Sequence, residues 1–291
     1  MRKSLMGMLA VTFALTACGD DKKNSGTGPD GQCVRGTLTL GRPLSGSVGS
    51  ADCAFEVDSE PFLGGRFDAY TVSLVEGRVY QVQLDASGDG FLDGVIEVLS
   101  PGGTLVAIAD DEPTYSSLES EMFFLARQTG QFTIRAGGYD GEERGAYRLT
   151  VRECGATRIT STAAIQGTLS APDCRSSIRI SGDDDSGFVD VYVLSVGSSR
   201  PSITVTTSAF SPVVYFGGPD VLSDYSFFDQ ATGSPAILRV SIGPPSGDFI
   251  VLVGSAAARA TGAYTIQSSI VASTSAVGPG LFFLAGLSGT Y

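Results

Sequence analysis

The chain has 291 residues, with 38 glycines, no histidine and no tryptophan, and its 31 acidic against 19 basic side chains give a formal charge of −12. That length suits two domains of about 100–150 residues, each able to bury a core. The charge argues against nucleic acid or an anionic membrane surface as an electrostatic partner. Without histidine, and with lysine only at Lys3, Lys22 and Lys23, a histidine-based triad, a histidine-ligated zinc and an embedded catalytic lysine are excluded. What is left is carboxylate chemistry, or none.

Residues 1–17 read as an export signal: Arg2 and Lys3 form a basic start, and the apolar run from Leu5 to Leu15 is too short to span a bilayer. The run ends in Leu15-Thr16-Ala17-Cys18, which resembles the lipobox of bacterial lipoproteins. The resemblance implies cleavage before Cys18 and a diacylglyceryl group on its sulfur, so that the membrane is a partner through that anchor. The alternative is an ordinary signal peptide that happens to carry a cysteine. Gly19, rather than Asp, follows the cysteine; by the same resemblance this leans toward the outer membrane, with the periplasmic or surface side left open. Residues 18–32 contain no large apolar side chain to bury and read as a flexible tether, reaching about 5–6 Å times the square root of its length.

Beyond the tether the chain repeats itself. Cys33 and Cys53 enclose a segment answered by Cys154 and Cys174, with the same spacing of 20 residues. Thr39 matches Thr160, Gly46 matches Gly167 and Asp52 matches Asp173, and the apolar positions Leu38, Leu44 and Val48 match Ile159, Ile165 and Leu169. Two copies of one domain follow, at 33–153 and 154–270, with a tail at 271–291. Four cysteines in an exported chain read as two disulfides, and duplication selects Cys33–Cys53 and Cys154–Cys174 over the crossed pairings. A metal site built on these cysteines lacks the CxxC spacing and has no histidine to join it.

The body of each copy alternates as strands do. Tyr70, Val72 and Leu74 share one face, as do Tyr80, Val82 and Leu84; Val95–Leu99, Leu105–Ala109, Met122–Leu125, Phe132–Ala136 and Tyr147–Val151 follow. In the second copy Asp190–Val196, Ile203–Val205, Phe249–Val251 and Tyr264–Ile266 echo them. No stretch has helical periodicity. About eight short strands per copy with glycine-rich turns predict an all-β chain of two tandem antiparallel β-sandwiches, jelly-roll-like, each with one disulfide. The tail contains an apolar run, Leu281–Leu287, too short for a bilayer and open between an edge strand and no structure.

The pattern Asp68-x-Tyr70-x-Val72-x-Leu74, Gly77, Tyr80-x-Val82-x-Leu84, Ser87-Gly88, Pro101-x-Gly103, Asp110-Asp111, Gly130-x-Phe132-x-Ile134 and Gly145-x-Tyr147-x-Leu149 resembles the bacterial pre-peptidase C-terminal domain. The resemblance covers 67–151 well and 188–266 loosely. It implies a β-sandwich of the kind appended to secreted proteases and other hydrolases, non-catalytic, and aiding secretion, stability or attachment to insoluble substrate. Some related collagen-binding modules bind calcium.

Asp85-Ala-Ser87-Gly-Asp89-Gly-Phe-Leu-Asp93 places oxygen ligands at alternate positions around a glycine turn, as a calcium loop does, with Ile96 standing where an EF-hand has its closing glutamate. Asp110 and Asp111, with Glu112, form a second acidic cluster at a strand end that can complete such a site. The competing reading of Asp85, Asp89, Asp93, Asp110 and Asp111 is solvated turns, and calcium is the one cofactor left open. Asp183, Asp184 and Asp185 read as an exposed loop. Tyr115, Tyr139 and Tyr225 are candidates for stacking on a ligand. No carboxylate pair shows a sequence setting that would raise one pKa, as a carboxylate-based hydrolase needs. The expected function is a non-catalytic, lipid-anchored cell-envelope binding or structural module, with an envelope protein or polysaccharide as partner. A calcium-dependent adhesion or matrix-attachment module is the alternative, and the carboxylate hydrolase a distant third.

Overall fold

The computed structural model describes residues 33–55, 65–87, 92–111, 119–176, 187–197, 200–223, 227–240 and 246–270, all strand, turn and bend. The export signal, Cys18, the tether and the tail lie outside the described residues, as do Asp89, Glu112, Tyr115, Asp183, Asp184, Asp185 and Tyr225.

In the first half the strands are β1 (Val34–Thr37), β2 (Leu44–Val48), β3 (Cys53–Ala54), β4 (Arg66–Leu74), β5 (Val79–Ser87), β6 (Gly94–Leu99), β7 (Leu105–Ala109), β8 (Ser120–Leu125), β9 (Gly130–Gly138) and β10 (Gly145–Cys154). In the second they are β11 (Ala156–Ile159), β12 (Ile165–Leu169), β13 (Cys174–Ser176), β14 (Gly187–Val196), β15 (Ser202–Thr206), β16 (Pro212–Pro219), β17 (Val221–Leu222), β18 (Phe227–Thr232), β19 (Ala236–Arg239), β20 (Gly247–Ser255) and β21 (Gly262–Ser268).

Four sheets result. The first runs β1-β4-β9-β6-β7 with β3 beside β4, and the third runs β11-β14-β20-β16-β18 with β13 beside β14. The second runs β17-β8-β5-β10-β2, and the fourth β12-β21-β15-β19. The third sheet thus repeats the first strand for strand, and the fourth repeats the second without β17. Pairing is antiparallel except that β1 joins β4, and β11 joins β14, in parallel. Each disulfide closes within its own half, Cys33 to Cys53 and Cys154 to Cys174. Closing a loop of this size restricts the unfolded chain by about 3 kcal/mol.

Alternation decides which side chains meet. Between the first and second sheets lie Val72, Tyr80, Val82, Leu84, Phe124, Phe132, Ile134 and Leu149; between the third and fourth lie Leu194, Ile203, Phe216, Leu238, Phe249, Val251 and Ile266. A third apolar layer joins the halves. Val79, Phe123 and Leu125, on the outward face of the second sheet, pack against Val189, Val191, Val193, Val213, Tyr215, Ile250 and Leu252 on the outward face of the third. The four sheets therefore form one continuous stack with three buried seams, rather than two sandwiches on a linker. The reason is local. On β9 the outward residues Thr133 and Arg135 are polar, whereas the equivalents on β20 are Ile250 and Leu252, so this strand is apolar on both faces and must be covered on both.

β17 fastens the stack. Leu99 and Leu105 pair across a connection of five residues, 100–104, whereas the equivalents Gly217 and Phe227 span nine, 218–226. The extra chain carries Val221 and Leu222 onto Phe124 and Phe123 of β8, so a strand of the second half completes a sheet of the first. Asp220 adopts a left-handed conformation (φ 67°), which Asp tolerates better than most residues. This turns its backbone so that its oxygen accepts from the Leu125 amide (2.7 Å) while its own amide donates to Asp248 (2.8 Å).

Candidate functional site

A polar clasp occurs once in each half and explains the residues that the repeat preserves. In the first half the Tyr147 hydroxyl donates to Asp68 Oδ2 (2.8 Å) and lies 2.9 Å from the Tyr70 hydroxyl. In the second, Tyr264 donates to Asp190 Oδ2 (2.5 Å) and meets Tyr192 at 2.7 Å. Each tyrosine ring crosses the neighbouring edge strand at a glycine, Gly46 opposite Tyr147 and Gly167 opposite Tyr264. A methyl group at either position would fall 2.4 Å from the ring. The matched Asp52 and Asp173 close the turns before β3 and β13, accepting from the amides of Gly49 (2.6 Å) and Ser170 (2.5 Å). Burial raises the pKa of both central tyrosines, so they stay protonated donors.

The copies differ in one charge. Arg35 of β1 bonds Asp68 Oδ1 through Nε (2.8 Å) and pairs with Asp52, so that one positive charge is shared between two carboxylates. Arg35 stands at a bulge of β1, between Val34 opposite Ala69 and Gly36 opposite Tyr70; β11 runs on β14 without that bulge, and Ala156, likewise two residues beyond its cysteine, lies opposite Val191. Asp190 is pushed up to about 6, by burial first and then by the Asp173 carboxyl, against the lowering effect of Tyr264. Sequence reasoning expected no carboxylate pair so perturbed, and the structure supplies one.

The candidate calcium residues are brought together in part. Asp93, just before β6, is raised to about 6 by burial and then by Glu143, Asp110 and Asp140. Asp140 and Glu143, in the β9–β10 turn, were not anticipated. They hold each other, Asp140 Oδ1 accepting from the amides of Glu142 (2.7 Å) and Glu143 (3.1 Å). Asp111 lies at the start of the β7–β8 connection, its carbonyl accepting from the Glu121 amide at 3.3 Å. Asp85 stands apart on the second sheet, 3.7 Å from Arg148. Burial raises its pKa, and Arg148 and Arg152 oppose that. Among the described residues no group of three or more such side chains is arranged to hold a metal ion. Tyr139 is half-buried against the cluster of Phe55 and Phe67, and its amide donates to the Asp93 carbonyl at 3.0 Å.

On the outward face of the first sheet lies a cavity of about 250 Å³, lined among others by Phe67, Thr71, Ser100, Pro101, Thr133 and Arg135. Arg135 is buried beneath it, paired to Glu97 (2.8 Å) and lying 4.8 Å from the centre of the Phe67 ring. Burial raises the Glu97 pKa against the pull of Arg135. The hydroxyls of Thr71, Thr133 and Ser100 beside a buried ion pair suit hydrogen bonding to a polar ligand. The same face of the third sheet is the one that packs against the first half.

No protein-family model and no curated protein matches the chain. Among solved structures, it is similar to the pre-peptidase C-terminal domain of a collagenase from Bacillus anthracis, at 17% identity over 40% of this chain and 98% of that one, with a TM-score of 0.29. It is also similar to tripeptidyl peptidase 2, at 7% identity over 80% of this chain and 24% of that one, with a TM-score of 0.25.

Proposed function

We propose that the chain is a non-catalytic, lipid-anchored cell-envelope protein: a rigid four-sheet stack tethered through Cys18 and acting as a binding or structural module. The observation that carries this reading is the use of the large apolar sheet faces against one another. The outward face of the first sheet carries a smaller apolar cluster of Phe55, Phe67, Ala69, Val95 and Ile108 beside the cavity over Arg135 and Glu97. The Asp–Tyr clasps fit a structural role, since the copy with Arg35 builds the same arrangement as an ion pair. Two disulfides suit an oxidising compartment.

Two experiments test the proposal. Radiolabelled palmitate should enter the wild type and not Cys18→Ala, and label in both or in neither would remove the anchor. An envelope protein or polysaccharide should be captured from envelope extracts by the protein and lost on Thr133→Arg, which fills the cavity. Capture unaffected by that change would move the binding surface elsewhere.

A second reading, a calcium-dependent adhesion module, draws on the carboxylates gathered round Asp93. It expects millimolar calcium to raise the melting temperature of the wild type and not of Asp93→Asn; equal behaviour of the two removes it.

A further inference from the structure

We propose that Asp173 and Asp190 form a proton-operated clasp, in which one shared proton does in the second half what the Arg35 guanidinium does in the first. The argument starts from the two copies. Asp52 and Asp68 sit on either side of a guanidinium; Asp173 precedes β13 and Asp190 lies on β14 as Asp52 precedes β3 and Asp68 lies on β4, and two residues beyond the first cysteine of the second half stands Ala156 instead of an arginine. The groups that face Asp190 are known from every neighbouring element. Tyr192 lies on its own strand β14, Val253 opposite Asp190 on β20, Tyr264 on β21, Asp173 on the turn before β13, and Ala156 and Gly167 on β11 and β12. Arg175, the cation of β13, lies 5.1 Å over the Phe188 ring instead, and Arg158 of β11 pairs with Asp248. Asp173 is close enough to raise the Asp190 pKa, and two neighbouring carboxylates without a cation cannot both stay ionised at low cost.

The hydrogen bonds say where the proton sits. Asp173 Oδ2 already accepts from the Ser170 amide (2.5 Å) and hydroxyl (3.1 Å), so Asp173 is the better carboxylate. Asp190 Oδ2 accepts from Tyr264, which leaves Oδ1 to carry the proton and donate it to Asp173. Loss of the proton sets two negative charges against each other across the turn that leads into β13. That strand is in turn bonded to the first half, since the Arg175 carbonyl accepts from Gln81 and the Ser176 hydroxyl donates to Glu121 (3.2 Å). The clasp therefore ties the ionisation of one carboxyl to the seam between the halves.

The test is a carboxyl-carbon NMR titration of the full-length soluble protein labelled at aspartate, with Asp190→Asn identifying the signal. Asp190 should titrate near 6 in the wild type, and the Gln81 side-chain amide should shift with the same midpoint. Ala156→Arg should lower the Asp190 midpoint by about 1–3 units, the usual effect of an adjacent arginine, and Asp173→Asn should lower it as well. An ordinary midpoint near 4, or one that Ala156→Arg leaves in place, overturns the proposal. A midpoint lowered only while millimolar calcium or free arginine is present also overturns it, because the pair would then hold a cation rather than a proton.

Discussion

Phe123 is the most informative side chain to truncate. It is fully buried, but on the face of β8 turned away from the first half's own core, so what it touches belongs to the seam. Removing a buried phenylalanine side chain costs about 3–5 kcal/mol, because the transfer energy is lost and a cavity is left behind. Against a typical net stability of about 5–15 kcal/mol, Phe123→Ala should lower the melting temperature by roughly 6–20 °C for a chain of this size. The chain contains no tryptophan, so single reporters can be placed at two exposed apolar sites, Val75→Trp in the first half and Ile237→Trp in the second. Urea unfolding followed by fluorescence should give one midpoint for both reporters, and Phe123→Ala should move both by the same amount. Movement of the Val75→Trp midpoint alone, or a cost below about 1 kcal/mol, would refute a shared seam.

Other outcomes follow from the same geometry. Gly46→Ala and Gly167→Ala should each cost about 1–3 kcal/mol by driving Tyr147 or Tyr264 off its strand, while Gly36→Ala and Gly155→Ala, where a methyl group meets nothing within 4 Å, should cost little in the same melts. Arg127 pairs with Asp220 and, at 2.8 Å, with Asp248 across the seam; Arg127→Ala should cost about 1 kcal/mol and less at high salt, whereas Arg78→Ala, facing Glu153 on the surface, should be near neutral. Asp93 and Asp190, both raised to about 6, bind protons more tightly folded than unfolded, so their contribution is full below about pH 4 and is lost as pH rises through 6. After discounting for solvent exposure this amounts to about 1 kcal/mol each, so calorimetry should show a higher melting temperature at pH 5 than at pH 7, and a rise from pH 5 to pH 7 would contradict the assignment. Asp248 acts in the opposite sense: burial raises its pKa but Ser195, Arg158 and Arg127 win, so its stabilisation is lost only as pH falls below the ordinary carboxylate range.

The inward face of each half was legible because its strands alternate; Tyr70, Val72 and Leu74 are buried together, as their spacing predicts. The disulfides were legible from duplication. The seam was written differently, as a loss of alternation. Phe249 to Val253 is an unbroken apolar run where the first copy has Thr133 and Arg135, which marks a strand covered on both sides without naming what covers it. β17 had no sequence signature of its own, because a two-residue strand is defined by the edge it joins rather than by a pattern. The clasp was half legible: the matched Gly46 and Gly167 and the matched Asp52 and Asp173 were visible, but their tyrosine partners lie about a hundred residues further along the chain, and only pairing of β2 with β10 and β12 with β21 brings them together. The acidic end was seen from one side only, since Asp140 and Glu143 join Asp93 through the β9–β10 turn.

Differential scanning calorimetry of the intact oxidised chain at pH 6 tests the continuous stack most directly. One shared seam predicts a single transition whose calorimetric and van't Hoff enthalpies agree. Two resolved transitions, or a calorimetric enthalpy about twice the van't Hoff value, would mean that the halves melt separately.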